Sequence, residues 1–327
     1  MKKILLIATG GTIASRKTED GLVPQLTPEV LLSYVPEAAN FCKTDTLQVL
    51  NIDSTNIQPQ HWLLIAHIIQ EHYEVYDGFV VCHGTDTMAY TAAALSYLIQ
   101  EPDKPIVITG SQRPIDMDVT DAKTNLMDSL RWASAGEPGV CIVFGGRVIA
   151  GTRARKSRSK SYNAFSSINF PELAVIRDDR IVRYIHDASS QGVKFSAALN
   201  TNVSALKLTP GLPAEAFLAV GRLCDGLIIE SYGVGGVPEI YNEALAELSH
   251  IGKVIVVATQ VPHEGSDMAV YQVGHLAKER FGLLETYDMT LESTVTKLMW
   301  VLAQAHEPKE VRKLFYCTVN HDILWVN

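Results

Sequence analysis

Apolar and polar positions alternate along this chain in two registers. Short continuous apolar runs occupy 4–8, 49–52, 78–82, 105–109 and 139–144, the pattern of strands buried on both faces of a sheet. Longer stretches between them carry apolar residues at helical spacing. The clearest is 58–76, with Trp62, Ile65, Ile68, Ile69 and Tyr73 behind Pro59; 87–100 and 121–135 follow. A further helix is predicted from Thr27 and Pro28, a good N-cap residue followed by one suited to the first turn. Strands separated by helical runs are the signature of βαβ units, so an α/β chain with a mostly parallel sheet is expected.

Two stretches interrupt the pattern. Residues 15–27 are polar, with Gly21 and Pro24, and read as a surface loop over the end of the first strand. Residues 178–202 are polar and irregular, and 181–202 is taken as a linker between an N-terminal domain at 1–180 and a smaller α/β domain at 203–327. In the latter, strands at 203–208, 227–231 and 253–259 alternate with helices at 213–223, 239–250, 267–280 and 290–305. No repeat of fixed period is visible.

Composition narrows the class. The 327 residues are 47% apolar and 20% charged, enough for large cores and against disorder. A net charge of −8 argues against a general nucleic-acid or membrane binder. The five cysteines form no CxxC pair and leave one over in any pairing, which points to a reducing compartment. The start MKKILLIA imitates a secretory leader, but TGGT interrupts it and no small-residue cleavage site follows. No stretch approaches the roughly 20 apolar residues of a membrane span. A soluble, cytoplasmic protein is expected.

The candidate chemistry sits at strand ends. Thr12 follows Gly10 and Gly11 at the carboxyl end of the first strand, where open α/β sheets bind ligands. His83-Gly84-Thr85-Asp86-Thr87 repeats the arrangement after the 78–82 strand. The first turn is no nucleotide fingerprint: GGTIA lacks GxGxxG, and GxxxxGK[ST] occurs nowhere. The plain alternative for Thr85, Asp86 and Thr87 is N-capping of the next helix. It leaves His83-Gly84 and the second threonine unexplained.

A hydroxyl nucleophile needs a base. His61, His67 and His72 share one amphipathic helix and read as surface or half-buried residues, while His83 suits a structural role equally well. No HExxH or clustered Cys/His pattern exists, so no metal is expected. The other base is a lysine from RVIAGTRARKSRSK at 147–160, a run whose plain reading is a solvated face. It follows the 139–144 strand and should emerge at the same sheet edge as the threonines. A lysine desolvated beside other cations loses proton affinity and can accept a proton from a hydroxyl.

Taken together, TGGTIA at 9–14, IDSTN at 52–56, HGTDTM at 83–88, TGSQRP at 109–114, TDAKTN at 120–125 and GTRARKS at 151–157 resemble bacterial-type L-asparaginases, most of all the cytoplasmic type I group. ESYGVGGVP at 230–238 and DMTLESTVTKLMW at 288–300 carry the resemblance nearly end to end. It implies a larger N-terminal flavodoxin-like domain, a smaller C-terminal α/β domain, and homodimers or homotetramers with sites at subunit contacts. It also implies hydrolysis of L-asparagine to L-aspartate and ammonia, with no cofactor. Residue by residue, Thr12 matches the nucleophile, and Thr85, Asp86 and Lys156 match the second set, which orders and deprotonates. Ser54 and Thr55, beside Asp53, match the segment that holds the substrate α-carboxylate, and Asp86 would also grip the α-ammonium. Gly11 and Gly84 flank the same place, and backbone amides near Gly11 and Thr85 would stabilise an oxyanion.

One departure stands out. Secreted members carry a tyrosine in the loop after the first threonine; 15–27 has none, and Leu22 stands near that place. Tyr34 lies on the predicted helix, which leaves Tyr232, a water, or Lys156 through Thr85 to activate Thr12. Glu264 and Asp267 are candidates for the acid that secreted members take from a neighbouring subunit. Two other classes share the motifs. One is the ammonia-supplying subunit of a tRNA-dependent amidotransferase, which carries a further domain ahead of the TGGT strand. The other is an amino-acid sensor that keeps the pocket and has lost turnover.

Overall fold

The computed structural model describes residues 1–18, 21–186 and 192–324. The chain divides into two compact units, Met1–Ala197 and Ala198–Asn327.

The first unit is built on an eight-stranded sheet. Five strands run parallel: Cys42–Ile52 at one edge, then Lys2–Gly10, Gly78–Cys82, Pro105–Thr109 and Gly139–Phe144. Three more, Arg147–Ala150, Ala174–Arg177 and Arg180–Arg183, extend it antiparallel. The inner parallel strands are apolar at almost every position because both their faces are covered; Ile4, Phe79, Val80, Ile106 and Ile108 are all fully buried. Helices Met88–Leu98 and Ala122–Ala135 pack on this sheet.

Numbered in chain order, the five parallel strands lie 2-1-3-4-5. The order reverses between Lys2–Gly10 and Gly78–Cys82, and open α/β sheets bind their ligands in the crevice beyond such a reversal. These two strands pair in register from Ile4↔Gly78 to Ala8↔Cys82. Thr9 Oγ1 donates to the Cys82 carbonyl at 2.9 Å and ties their ends together. Two threonine-bearing loops therefore leave neighbouring strands at one level.

The structure departs from the sequence reading where strands are amphipathic or exposed. The second parallel strand begins at Cys42 rather than 49; its polar residues alternate because it lies on an edge. Residues 15–27 are not a plain loop: Ser15–Thr18 and Gly21–Pro24 form an antiparallel hairpin. The stretch 181–202 carries structure instead of an open linker. Arg180–Arg183 pairs with Ala174–Arg177, and Lys194–Phe195 pairs with Ile99–Gln100. Residues 187–191 of that stretch lie outside the described residues.

The second unit holds a four-stranded parallel sheet in sequential order: Val203–Lys207, Gly226–Ser231, Val254–Thr259 and Leu284–Glu285. Leu227, Ile229 and Val257 share its core with Phe217 and Leu248. The predicted helices at 239–250 and 267–280 each begin as a 3₁₀ turn, Glu239–Tyr241 and Met268–Val270. Helix Leu291–Gln304 carries Lys297, whose ammonium is 2.6 Å from Asp322 with both side chains fully buried. Among the described residues no helix is long and apolar enough to cross a membrane.

Candidate active site

Gly11 is the hinge of the first loop. Its φ of 78° lies in the left-handed region, and a Cβ there would stand 2.4 Å from the backbone of Gly84. A Cβ on Gly84 would in turn meet the Ser54 side chain at 2.6 Å. Loops from the first, second and third parallel strands thus touch through glycines. The Gly11 N–H donates to the Ile52 carbonyl at 3.0 Å. The Gly11 carbonyl accepts from Ala14 N at 3.1 Å and from Ser15 Oγ at 2.9 Å, which fixes the peptide leading into half-buried Thr12.

Ser54 is buried between the loops. Its hydroxyl accepts from Asp86 N at 3.2 Å, and its carbonyl accepts from Thr87 Oγ1 at 2.7 Å. The capping reading of Thr87 is thereby corrected: its hydroxyl is drawn to Ser54, and it makes no side-chain cap on the following helix. Asp53 and Thr55 are exposed and bound to each other, since Asp53 Oδ1 accepts from both the amide and the hydroxyl of Thr55 at 2.8 Å.

Lys156 comes from the far side of the sheet sequence. Strand Ala154–Lys156 pairs antiparallel with Phe165–Ser167, which places Lys156 opposite Phe165. Its ammonium donates to Thr85 Oγ1 at 2.7 Å and to Asp86 Oδ1 at 2.6 Å. Asp86 remains 56% exposed while Lys156 is only 17% exposed, so the carboxylate opens to solvent and the amine is enclosed. The basic run at 147–160 is not one solvated face: Arg147 pairs with Glu172 at 2.9 Å, and Arg153 is fully buried over Phe170.

The Thr85 hydroxyl donates onward to Gln112 Oε1 at a long 3.4 Å. The amide of Gln112 is oriented by its Nε2, which donates to the Ser161 carbonyl at 3.1 Å. Its backbone N–H donates to the buried Asp121 carboxylate at 2.9 Å. Burial pushes the Asp121 carboxyl up, against the hydrogen bonds from Gln112, Arg113 and Asn125 that favour its charged form. Gln112 was visible in the sequence only as part of TGSQRP, with nothing to assign it to Thr85.

The family profile "Asparaginase, N-terminal" matches residues 3–189, and "Glutaminase/Asparaginase C-terminal domain" matches 202–315. The chain belongs to the asparaginase family. Similar members include an L-asparaginase of Thermococcus kodakarensis, 40% identical over 95% of this chain and 96% of that protein. "L-asparaginase 1" of Escherichia coli K12 is 33% identical over 95% of each. The family also includes a component of the glutamyl-tRNA(Gln) amidotransferase of Pyrococcus abyssi, 32% identical over 96% of this chain and 75% of that protein. The solved structure of the Thermococcus kodakarensis L-asparaginase superposes with a TM-score of 0.93 at 38% identity, covering 99% of this chain and all of that one. A likeness confined to bacterial enzymes is therefore too narrow, because an archaeal member shares the chain from end to end.

Leu22 is 48% exposed on the hairpin. Tyr34 packs on the core of the first unit under Lys123, and Tyr232 packs on the core of the second. In the second unit, Asp267 accepts from Ala269 N, and Glu264 has a φ of 73°. His61 accepts from the Gln58 backbone at the start of helix Pro59–His72, and His67 faces Glu71 at 3.3 Å. Among the described residues no His, Cys, Asp and Glu cluster could hold a metal.

Proposed function

We propose that this chain hydrolyses L-asparagine to L-aspartate and ammonia, with Thr12 as nucleophile and Thr85, Asp86 and Lys156 as the set that moves protons. The single observation that supports this most is the Lys156 amine 2.7 Å from Thr85 Oγ1 and 2.6 Å from Asp86 Oδ1, beside the Gly11–Gly84 contact. Thr12 Oγ adds to the side-chain amide carbon, and its proton leaves with the departing ammonia. A water then adds to the resulting ester and gives one proton to Thr85 Oγ1; the Thr85–Lys156 pair hands a proton on to Thr12 Oγ, which leaves the acyl carbon as the free hydroxyl. For that transfer the Thr85 hydrogen swings from Gln112 to the amine.

The tetrahedral oxygen is bound by backbone amides, an interaction often worth about 3 kcal/mol per donor. The Gly11 N–H is engaged by Ile52, so the role on that side falls to Thr12, with Thr85 opposite. Ser54 and Thr55 take the substrate α-carboxylate and Asp86 the α-ammonium, with Asp53, Gly11 and Gly84 completing the wall. The reaction as written uses no cofactor. We also assign the chain to the cytoplasmic type I group acting as a homodimer or homotetramer, with no nucleic-acid or membrane partner.

Ammonia release by the purified chain from L-Asn, D-Asn and L-Gln tests the reading. Turnover of L-Asn that disappears in Thr12→Ala and Lys156→Met supports it. The match to an amidotransferase component favours a second reading, in which ammonia appears only with a partner chain.

A further inference from the structure

His83 follows strand Gly78–Cys82, is fully buried, and anchors its backbone N–H on the Thr109 carbonyl at 2.8 Å. Its Nδ1 is 2.6 Å from the Gly84 carbonyl, and its Nε2 is 2.9 Å from Thr91 Oγ1. Thr91 Oγ1 also accepts from Trp62 Nε1 at 3.0 Å. These contacts admit one order of protons. A carbonyl only accepts, so Nδ1 carries the hydrogen. Burial lowers the ring pKa to about 4, so at neutral pH Nε2 is a bare acceptor. Thr91 must then donate to Nε2 and take the indole N–H on its own oxygen. The chain runs Trp62 to Thr91 to His83 to Gly84, each group in a single role.

We propose that His83 is a positioning residue that holds the Gly84–Thr85 peptide so that the Thr85 N–H faces the reacting carbonyl oxygen. This rests on the reading of the site given above. The Gly84 carbonyl and the Thr85 N–H are opposite ends of one planar unit, so gripping the first aims the second. The Thr85 N–H has no acceptor among the described residues, although Asp86 N beside it is taken by Ser54. The other side of Gly84 is packed on Gly11 and Ser54, which leaves the peptide no room to turn over. A histidine that merely filled space at a strand end would need neither the Nδ1 contact nor a fixed tautomer.

Three replacements separate the roles. His83→Asn puts an amide N–H where Nδ1 stood, His83→Gln places its amide where Nε2 stood, and His83→Leu offers neither. Steady-state ammonia release gives kcat and KM, and thermal unfolding runs alongside. The leucine and glutamine variants are expected to lose ~10- to 100-fold in kcat with KM within about threefold, the pattern of a lost oxyanion donor. The asparagine variant recovers most of that kcat whatever its thermal midpoint. Thr91→Val, which keeps the histidine in place, lowers kcat and Thr91→Ser restores it. Activity that follows the thermal midpoint across the set overturns the proposal, as does near-normal kcat in His83→Leu or Thr91→Val. If Thr12→Ala is inactive and His83→Leu is not, this inference alone fails; if Thr12→Ala turns over normally, the reading of the site fails with it.

Discussion

The Lys156 amine stands 2.7 Å from the Thr85 hydroxyl although 71 positions separate them in the chain. Lys156→Met is expected to lower kcat by ~10³ or more, since a hydroxyl without a base is a poor participant at neutral pH. Thr85→Val should do the same while the thermal midpoint stays within a few degrees. A Thr85 variant that melts early yet keeps its turnover would return this residue to helix capping.

Gln112 fixes the other side of that hydroxyl. Gln112→Leu removes the acceptor and the link to Ser161. We expect kcat to fall about tenfold, near 1.4 kcal/mol, with KM little changed. Gln112→Glu places a carboxylate beside the Thr85 hydroxyl that Lys156 contacts, and its pH–rate profile should move to higher pH. A parent-like profile in the glutamate variant would count against the contact.

Gly84→Ala cannot be accommodated quietly. The new methyl would lie 2.6 Å from Ser54 Oγ and 2.7 Å from Ser54 Cβ, so one of the two loops must move. More than ~2 kcal/mol of destabilisation is expected, read from urea unfolding, together with loss of activity. An unchanged midpoint would mean that the two loops separate freely.

Two buried groups pull stability in opposite directions with pH. Burial raises the Asp128 carboxyl from 3.8 to about 7, opposed by Arg131 and aided by Asp179. Between those values the unfolded chain has released the proton and the folded chain keeps it. Stability therefore falls as pH rises through that window, by up to ~1.4 kcal/mol per pH unit. His83 is the reverse: its folded pKa is lowered from 6.5 to about 4, so stability is lost as pH falls through that range. Asp128→Asn removes the first slope. Its thermal midpoint should drop more steeply than the parent's on acidification from about pH 6.5 to about pH 4.5. Parallel curves would rule out a neutral Asp128.

In the second unit, removing either member of the Lys297–Asp322 pair should cost ~3–5 kcal/mol, because the survivor is left charged and buried. The double variant Lys297→Met/Asp322→Leu should be more stable than either single one. Calorimetry on the three variants tests this, and a double variant as weak as the worse single would refute it.

The sequence revealed the strands whose surroundings are uniform. Gly78–Cys82, Pro105–Thr109 and Gly139–Phe144 begin and end where the apolar runs do, since burial on both faces leaves no polar position to confuse. It hid the piece that faces water on one side, the first half of Cys42–Ile52. Helix Pro308–Phe315 went unread for a similar reason: it buries only Val311 and Phe315. Thr12 and Thr85 stood out in the sequence as hydroxyls at neighbouring strand ends, whereas the basic run offered several cations and Lys156 was singled out only through the family resemblance. Gln112 and the partners of His83 could not be named. An amide or imidazole is committed to a neighbour only by packing, and no spacing rule records which atom faces which loop.

The pairing of Ala154–Lys156 with Phe165–Ser167 bears on the order in which the protein acquires its chemistry during synthesis. A nascent chain that has emerged only as far as residue 160 holds both threonines and the lysine but lacks the strand that seats it. The contacts of Lys156 with Thr85 and Asp86 therefore wait on a strand that is made after all three residues.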